Sequence, residues 1–261
     1  MDYLLAADIG NTNITTGLFA NDKLLTRAKI STGSYSSYAR ELKSILKLIS
    51  SRRRRLNASC DCDARVRLII SSVVPLATTR FLAETCKLLP GVSPVVLGRD
   101  AIVPIKNKYR NKGEVGQDRL VNAYAAKALY GVPAIIIDFG TAITFDIISA
   151  KGGYLGGIIL PGIEMGLASL HRKTALLPKV DLREVRDIIG KTTASSMRGG
   201  ILFGYGAMCD GLIAQYKKIL GKSAKVIATG GNAGLIKKYT ASIKIIDENL
   251  TLKGLRLIVK E

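Results

Sequence analysis

Residues 135–146 read IIIDFGTAITFD, and residues 4–17 read LLAADIGNTNITTG. In each, an aspartate closes an apolar run and a glycine follows two positions later: Asp8-Ile9-Gly10 and Asp138-Phe139-Gly140. The two aspartates stand half the length of the 261-residue chain apart. An apolar run that ends on an acid and turns at a glycine is a strand entering a hairpin. Its recurrence at half-chain spacing predicts two similar lobes, unlike a solenoid with its period of about 20–50 residues. A chain of this length is also where a single core usually divides.

Working outward, strands are expected at 4–8, 13–19, 24–30, 68–71 and 95–97. Residues 36–50 read as a helix, with Tyr38, Leu42, Ile45, Leu46 and Ile49 at near-helical spacing. Residues 50–62 are polar and basic and read as a loop or a frayed helix end. A second helix, 118–130, stops at Gly131-Val132-Pro133. The opening pattern then repeats: strand 134–138, turn, strand 142–148, turn at 151–153, strand 155–160. Helices at about 162–170 and 198–220 follow, then a strand at 226–228 that ends on Thr229-Gly230-Gly231-Asn232. The expected domains are 1–117 and 118–261, with 118–130 as the connecting helix.

Composition narrows the class. Hydrophobic content of 48% and 26 glycines suit a turn-rich globular protein. No apolar run approaches the roughly 20 residues that span a bilayer, and the first residues have neither a basic region nor a cleavage signal. The expectation is therefore a cytoplasmic protein with no membrane partner. Cysteines at 60, 62, 86 and 209 lack zinc-knuckle spacing and read as reduced thiols. Lys and Arg outnumber Asp and Glu by 39 to 20, with the densest cluster at Arg52-Arg53-Arg54-Arg55. No zinc finger, RNA-recognition signature or basic heptad accompanies that charge, which argues against specific nucleic-acid binding and for a solvated basic surface.

The chemistry of the hairpins is anion binding. A glycine at the tip lets backbone approach a phosphate closely. Asn11, Thr12 and Thr15 add side-chain donors. A strand-end aspartate can hold hydrated Mg²⁺, which takes few protein carboxylates and keeps its waters. Two such hairpins could hold a triphosphate from both sides, with Gly230 and Gly231 lying against a nucleoside. No Walker sequence is present.

This arrangement resembles the acetate and sugar kinase, heat-shock chaperone and actin superfamily. That resemblance implies an α/β fold of two duplicated ribonuclease-H-like lobes, each a mixed sheet flanked by helices, with an ATP cleft between them. More narrowly, Asp8-Ile9-Gly10-Asn11-Thr12-Asn13 with Gly17 resembles the first motif of type III pantothenate kinases. Ile70-Ser71-Ser72-Val73-Val74-Pro75, Tyr109-Arg110-Asn111, Val115-Gly116-Gln117-Asp118-Arg119, Asp138-Phe139-Gly140-Thr141-Ala142 and Gly156-Gly157-Ile158-Ile159-Leu160-Pro161-Gly162 continue the likeness. Thr174-Ala175-Leu176-Leu177-Pro178, Gly190-Lys191-Thr192-Thr193, Thr229-Gly230-Gly231 and 250–255 close it. Lys112 stands where proline is usual and Gln117 where alanine is common. The basic stretch around 52–65 is not a family feature.

The resemblance implies ATP-dependent phosphorylation of pantothenate to 4′-phosphopantothenate, the first step to coenzyme A. It implies Asp118 as general base, and Asp8, Ile9, Gly10, Asn11, Thr12, Asn13, Ile14, Thr15, Thr141, Gly230 and Gly231 as ATP contacts. Pantothenate would meet Tyr109, Gly116, Gln117, Asp118, Arg119 and Thr193. Asp8 would hold Mg²⁺ directly or through water, and Asp138 a monovalent cation, K⁺ or NH₄⁺. A homodimer is implied as well. The rival reading is an actin-like ATP-binding regulator, or a nucleic-acid-binding accessory protein, without kinase turnover. Asp118 also has a plainer role open to it as a helix N-cap, and Asp138 as a turn acceptor.

Overall fold

The computed structural model describes residues 2–55 and 66–259. The chain forms two mixed five-stranded sheets flanked by helices, one in each of two compact units. Unit 1 is Met1–Pro104, Gly116–Val121 and Thr251–Glu261; unit 2 is Ile105–Val115 and Asn122–Leu250. The chain thus passes between units at 104/105, 115/116, 121/122 and 250/251, where the sequence suggested one boundary at 117/118.

In unit 1, β1 (Tyr3–Ile9), β2 (Asn13–Ala20) and β3 (Lys23–Ser31) form an antiparallel meander. After α1 (Ser36–Arg55), β4 (Val66–Ser72) returns parallel to β1. Helix α2 (Pro75–Leu88) then leads to β5 (Pro94–Val96), and the sheet order is β3-β2-β1-β4-β5. β1 is central and buried at every residue but Asp8, which explains its unbroken apolar run. β3 is an edge and exposes Lys23, Arg27 and Lys29, charges that blunt pairing with other chains. The apolar stripe of α1, Tyr38, Leu42, Ile45 and Ile49, packs with Phe81 of α2 on Leu5, Ala7, Ile9, Ile14 and Leu18.

Unit 2 repeats this plan. β6 (Ala134–Phe139), β7 (Ala142–Ile148) and β8 (Tyr154–Pro161) follow the shared helix α3 (Gln117–Tyr130). Helices α4 (Ile163–Lys173) and α5 (Thr193–Leu220) precede β9 (Lys225–Thr229), parallel to β6. The short α6 (Ala233–Ile236) leads to β10 (Ile245–Ile246), and α7 (Leu250–Ile258) ends the fold. The order β8-β7-β6-β9-β10 reproduces β3-β2-β1-β4-β5 strand for strand, including which pairs are parallel. The duplication expected from the two aspartates is therefore a duplication of topology.

Four helices depart from expectation. Helix α1 runs to Arg55, past the expected end at 50, so of the two readings for Arg52–Arg55, loop or helix end, the helix is the one found; Arg is a good helix former. Residues 56–62 of that stretch lie outside the described residues. Helix α5 starts at Thr193, not 198. Helix α2 and helix α7 were not anticipated at all. Among the described residues no helix is long and apolar enough to cross a membrane.

Candidate active site

The unit 1 part is built on the β1–β2 turn. Gly10 N–H donates to Asn13 C=O at 3.0 Å. Thr32, just past β3, fastens the tip: its hydroxyl donates to Gly10 C=O at 2.7 Å and its N–H to Thr12 C=O at 3.0 Å. The Thr32 carbonyl accepts from the Tyr38 hydroxyl at 2.5 Å. Val73 N–H donates to Ile9 C=O at 3.1 Å. With its carbonyls engaged inward, the tip presents the exposed Asn11 and Thr12, while Ile9 and Ile14 are sealed in the core. Asp8, Gly10, Asn13 and Thr15 are half-buried.

Strand register sets Asp8 between two hydroxyls, opposite Thr15 of β2 and Ser71 of β4. Asp138 of unit 2 is likewise set between Thr144 of β7 and Thr229 of β9. Each strand-end carboxylate is thus the centre of a hydroxyl–carboxylate–hydroxyl row. Among the described residues no cluster of three or more His, Cys, Asp or Glu could enclose a metal. A lone carboxylate flanked by hydroxyls fits a hydrated Mg²⁺ brought in on phosphates, which needs one or two carboxylates and retains water.

Asp118 sits in the first turn of α3. Its Oδ1 accepts from Arg119 N–H at 2.9 Å, and a Cβ on Gly116 would collide with that oxygen. Gly116 thus leaves the space that this position of the carboxylate occupies. Burial pushes the Asp118 carboxyl above its ordinary value, against the opposing pull of the Arg119 amide and charge. A Cβ on Gly98 (φ +83°) would lie 2.9 Å from Gln117 Nε2, so Gln117 packs along the turn after β5. Arg119 is buried at 7% exposure.

The unit 2 part centres on Asp138. Asn122 Nδ2, at 1% residue exposure and one turn beyond Asp118 on α3, donates to Asp138 Oδ2 at 3.0 Å. Gly230 (φ +88°) backs onto the same side chain: a Cβ there would stand 2.5 Å from Asp138 Oδ1 and 2.6 Å from the Phe139 carbonyl carbon. Glycine is needed at 230 twice over, for its dihedral and for this approach. Gly162, the N-cap of α4, abuts the Thr141 carbonyl, while Thr141 itself is exposed. Gly231 is exposed beside Gly230.

Tyr109 packs against β8, its ring beside Gly156 (φ +114°), where a Cβ would come within 3.1 Å of Cε2. Its N–H donates to Asn107 Oδ1 at 2.9 Å, and Lys106–Lys108 bond to Tyr154 at the start of β8. Thr193 is the exposed first residue of α5; the capping box is made by Thr192 and Ser195. His171 is exposed, with Nδ1 2.8 Å from Leu177 C=O.

Thr32 and Asn122 were not found from sequence. Asn122 had one signal, its place a turn after Asp118 on the same helix; Thr32 had none, because its partners on the hairpin tip, Gly10 and Thr12, are 20 or more residues away.

A model of the type III pantothenate kinase family matches residues 4–215. The chain belongs to the type III pantothenate kinase family. It is 39% identical over 252 residues to the type III pantothenate kinase of Persephonella marina, covering 97% of this chain and 96% of that one. The Listeria monocytogenes type III pantothenate kinase is 38% identical over 257 residues, 98% of this chain and 96% of that one. Among solved structures, a Campylobacter jejuni protein described as a Baf family transcriptional activator superposes with a TM-score of 0.56 at 21% identity. That match covers 98% and 97% of the two chains. The ethanolamine utilization protein EutJ of Carboxydothermus hydrogenoformans gives 0.51 at 11% identity, over 99% and 90%. At those identities the likeness is one of fold. As a type III pantothenate kinase family member the chain is a phosphotransferase, which implies ATP and a divalent metal as reactants.

Proposed function

We propose that this kinase moves the γ-phosphoryl group of ATP to the primary hydroxyl of pantothenate, giving ADP and 4′-phosphopantothenate at the first step of coenzyme A synthesis, with Asp118 as general base. The observation that carries the reading is Asp118 itself. Its carboxylate sits in the first turn of α3, kept clear by Gly116 and made more basic by burial. A base closer in pKa to the medium takes up a departing proton more effectively. The pantothenate oxygen bonds to phosphorus, its proton passes to Asp118, and the bond to the β-phosphate oxygen breaks.

Phosphoryl transfer needs positioning and charge neutralisation more than covalent help. Asn11, Thr12 and Thr141 are exposed polar groups on pinned turns and would bind phosphate oxygens; Gly230 and Gly231 would face the nucleoside. The Asp8 row would hold Mg²⁺ through its waters, the metal supplying positive charge to the triphosphate. Asp138 would hold K⁺ or NH₄⁺, oriented by Asn122. Tyr109, the Gly116–Arg119 turn and Thr193 would contact pantothenate. The working form would be a homodimer in the cytoplasm. The test is ATP consumption as a function of pantothenate and of a panel of other small alcohols. Pantothenate-dependent ADP release is expected. Preference for another alcohol, or salt-sensitive DNA binding without turnover, would overturn the reading.

A further inference from the structure

The motif Ile70-Ser71-Ser72-Val73-Val74-Pro75 holds two serines with opposite circumstances. Ser72 is structural: its Oγ accepts from Val74 N–H at 3.0 Å and from the Thr78 hydroxyl at 2.6 Å, bonds that fasten the start of α2. Ser71 is fully buried, and among the described residues its Oγ has no hydrogen-bond partner. A buried hydroxyl without a partner costs stability, and alanine would fill the same space without that cost.

The register says what the hydroxyl faces. Ser71 is the parallel-strand partner of Asp8. Ala7, Ile9, Leu68 and Ile70 belong to the apolar cluster under α1 and α2. Alternation therefore sends Asp8 and Ser71 together to the opposite face, about 4.8 Å apart at Cα. Thr229 occupies the matching position beside Asp138, so a hydroxyl on this flank of the carboxylate occurs in both units.

We propose that Ser71 is a contact for the hydrated divalent cation carried by ATP, an inference that rests on the assignment of Asp8 to that cation. Ser71 Oγ accepts from a water of the cation's shell, and its hydrogen is given to the Asp8 carboxylate. The orphaned hydroxyl is thus satisfied when metal–nucleotide binds.

Calorimetric titration of Ser71→Ala, Ser71→Thr and Asp8→Asn with ADP, once in excess Mg²⁺ and once in EDTA, tests this alongside thermal unfolding. Ser71→Ala is expected to weaken Mg²⁺–ADP binding by about tenfold, the scale of a hydrogen bond to a charged partner. Its affinity for ADP in EDTA should be unchanged, and its Tm without nucleotide should rise by about 2–4 °C. Ser71→Thr should restore Mg²⁺–ADP binding. Unaltered Mg²⁺ dependence in Ser71→Ala while Asp8→Asn loses it would overturn the role of Ser71 and leave Asp8 standing. Unaltered Mg²⁺ dependence in Asp8→Asn would overturn the Asp8 assignment and the inference with it. A lower Tm in Ser71→Ala, with both affinities reduced alike, would make Ser71 a packing residue and overturn the proposal.

Discussion

Asp118 is held where a charge is costly. Its folded pKa is raised above the ordinary 3.8 chiefly by desolvation. The linked stability is therefore fully present below the unfolded value and lost as pH rises through the folded one. Asn keeps the shape and carries no charge. Asp118→Asn should raise the melting temperature at neutral pH, and the gain should vanish as the pH falls below about 3.8. Turnover should drop by roughly 10²–10⁴, the usual scale for a general base. A melting curve across pH and a rate at neutral pH check both; unchanged turnover would leave Asp118 a first-turn acid only. Asn122 invites a second substitution. Removing its amide takes a hydrogen bond from Asp138 Oδ2, so Asn122→Ala should raise the K⁺ concentration for half-maximal activity several-fold while Mg²⁺–ADP affinity holds. Rates measured over a K⁺ series decide it, and an unchanged K⁺ requirement would make the bond purely structural. Asp8, Asp118 and Asp138 were legible as acids at strand or helix ends. Asn122 and Thr32 were not, since each acts by a hydrogen bond to a residue that only the folded chain brings near.

At the scale of elements, the start of α5 separates a structural threonine from a candidate binding one. Thr192 accepts from Ser195 N–H at 3.1 Å and closes the capping box. Thr192→Ala should cost about 1 kcal/mol of stability. Thr193 takes no part in that cap, so Thr193→Val should leave unfolding unchanged and raise the KM for pantothenate. Denaturant melts and initial rates on the pair settle which threonine does which. A stability loss at 193 with no KM change would reverse the assignment. The central strands were readable because burial on both faces forces apolar runs, and β1, β2, β6 and β7 fall within a residue or two of expectation. Helix α2 escaped because Thr78, Thr79 and Thr85 dilute its helical signal, though Pro75 at its first turn is a start marker. Helix α7 escaped because it is only nine residues long. Its Leu252 packs where Gly17 leaves room, a contact the sequence does not announce.

At the scale of the molecule, two copies of one sheet plan explain why the chain carries two strand-end aspartates, and their unequal surroundings suit the two different cations proposed for them. Asp8 is flanked by Ser71, whose hydroxyl has no partner among the described residues, and Asp138 accepts from Asn122 and is backed by Gly230. The sequence showed the repeat; it did not show this difference, which depends on what packs over each sheet end. Unit 2 also exposes large apolar side chains: Leu176 at 91%, Ile188 at 71% and Ile189 at 74%, on the irregular stretch between α4 and α5, and Ile159 at 63% on β8. Single exposed residues of this kind are ordinary, but Ile188 and Ile189 are adjacent in the chain and both exposed, which suits a partner surface. If the partner is a second copy, sedimentation should give a particle of about twice the 28.0 kDa chain mass. Placing charge there opposes burial, since an unpaired lysine in an interface is expensive. The double change Ile188→Lys, Ile189→Lys should therefore shift the particle to monomer without lowering the melting temperature of the monomer itself, because both side chains already face solvent. A single-chain mass for the unaltered protein at assay concentration would refute the dimer. A dimer that survives the double change would place its interface elsewhere.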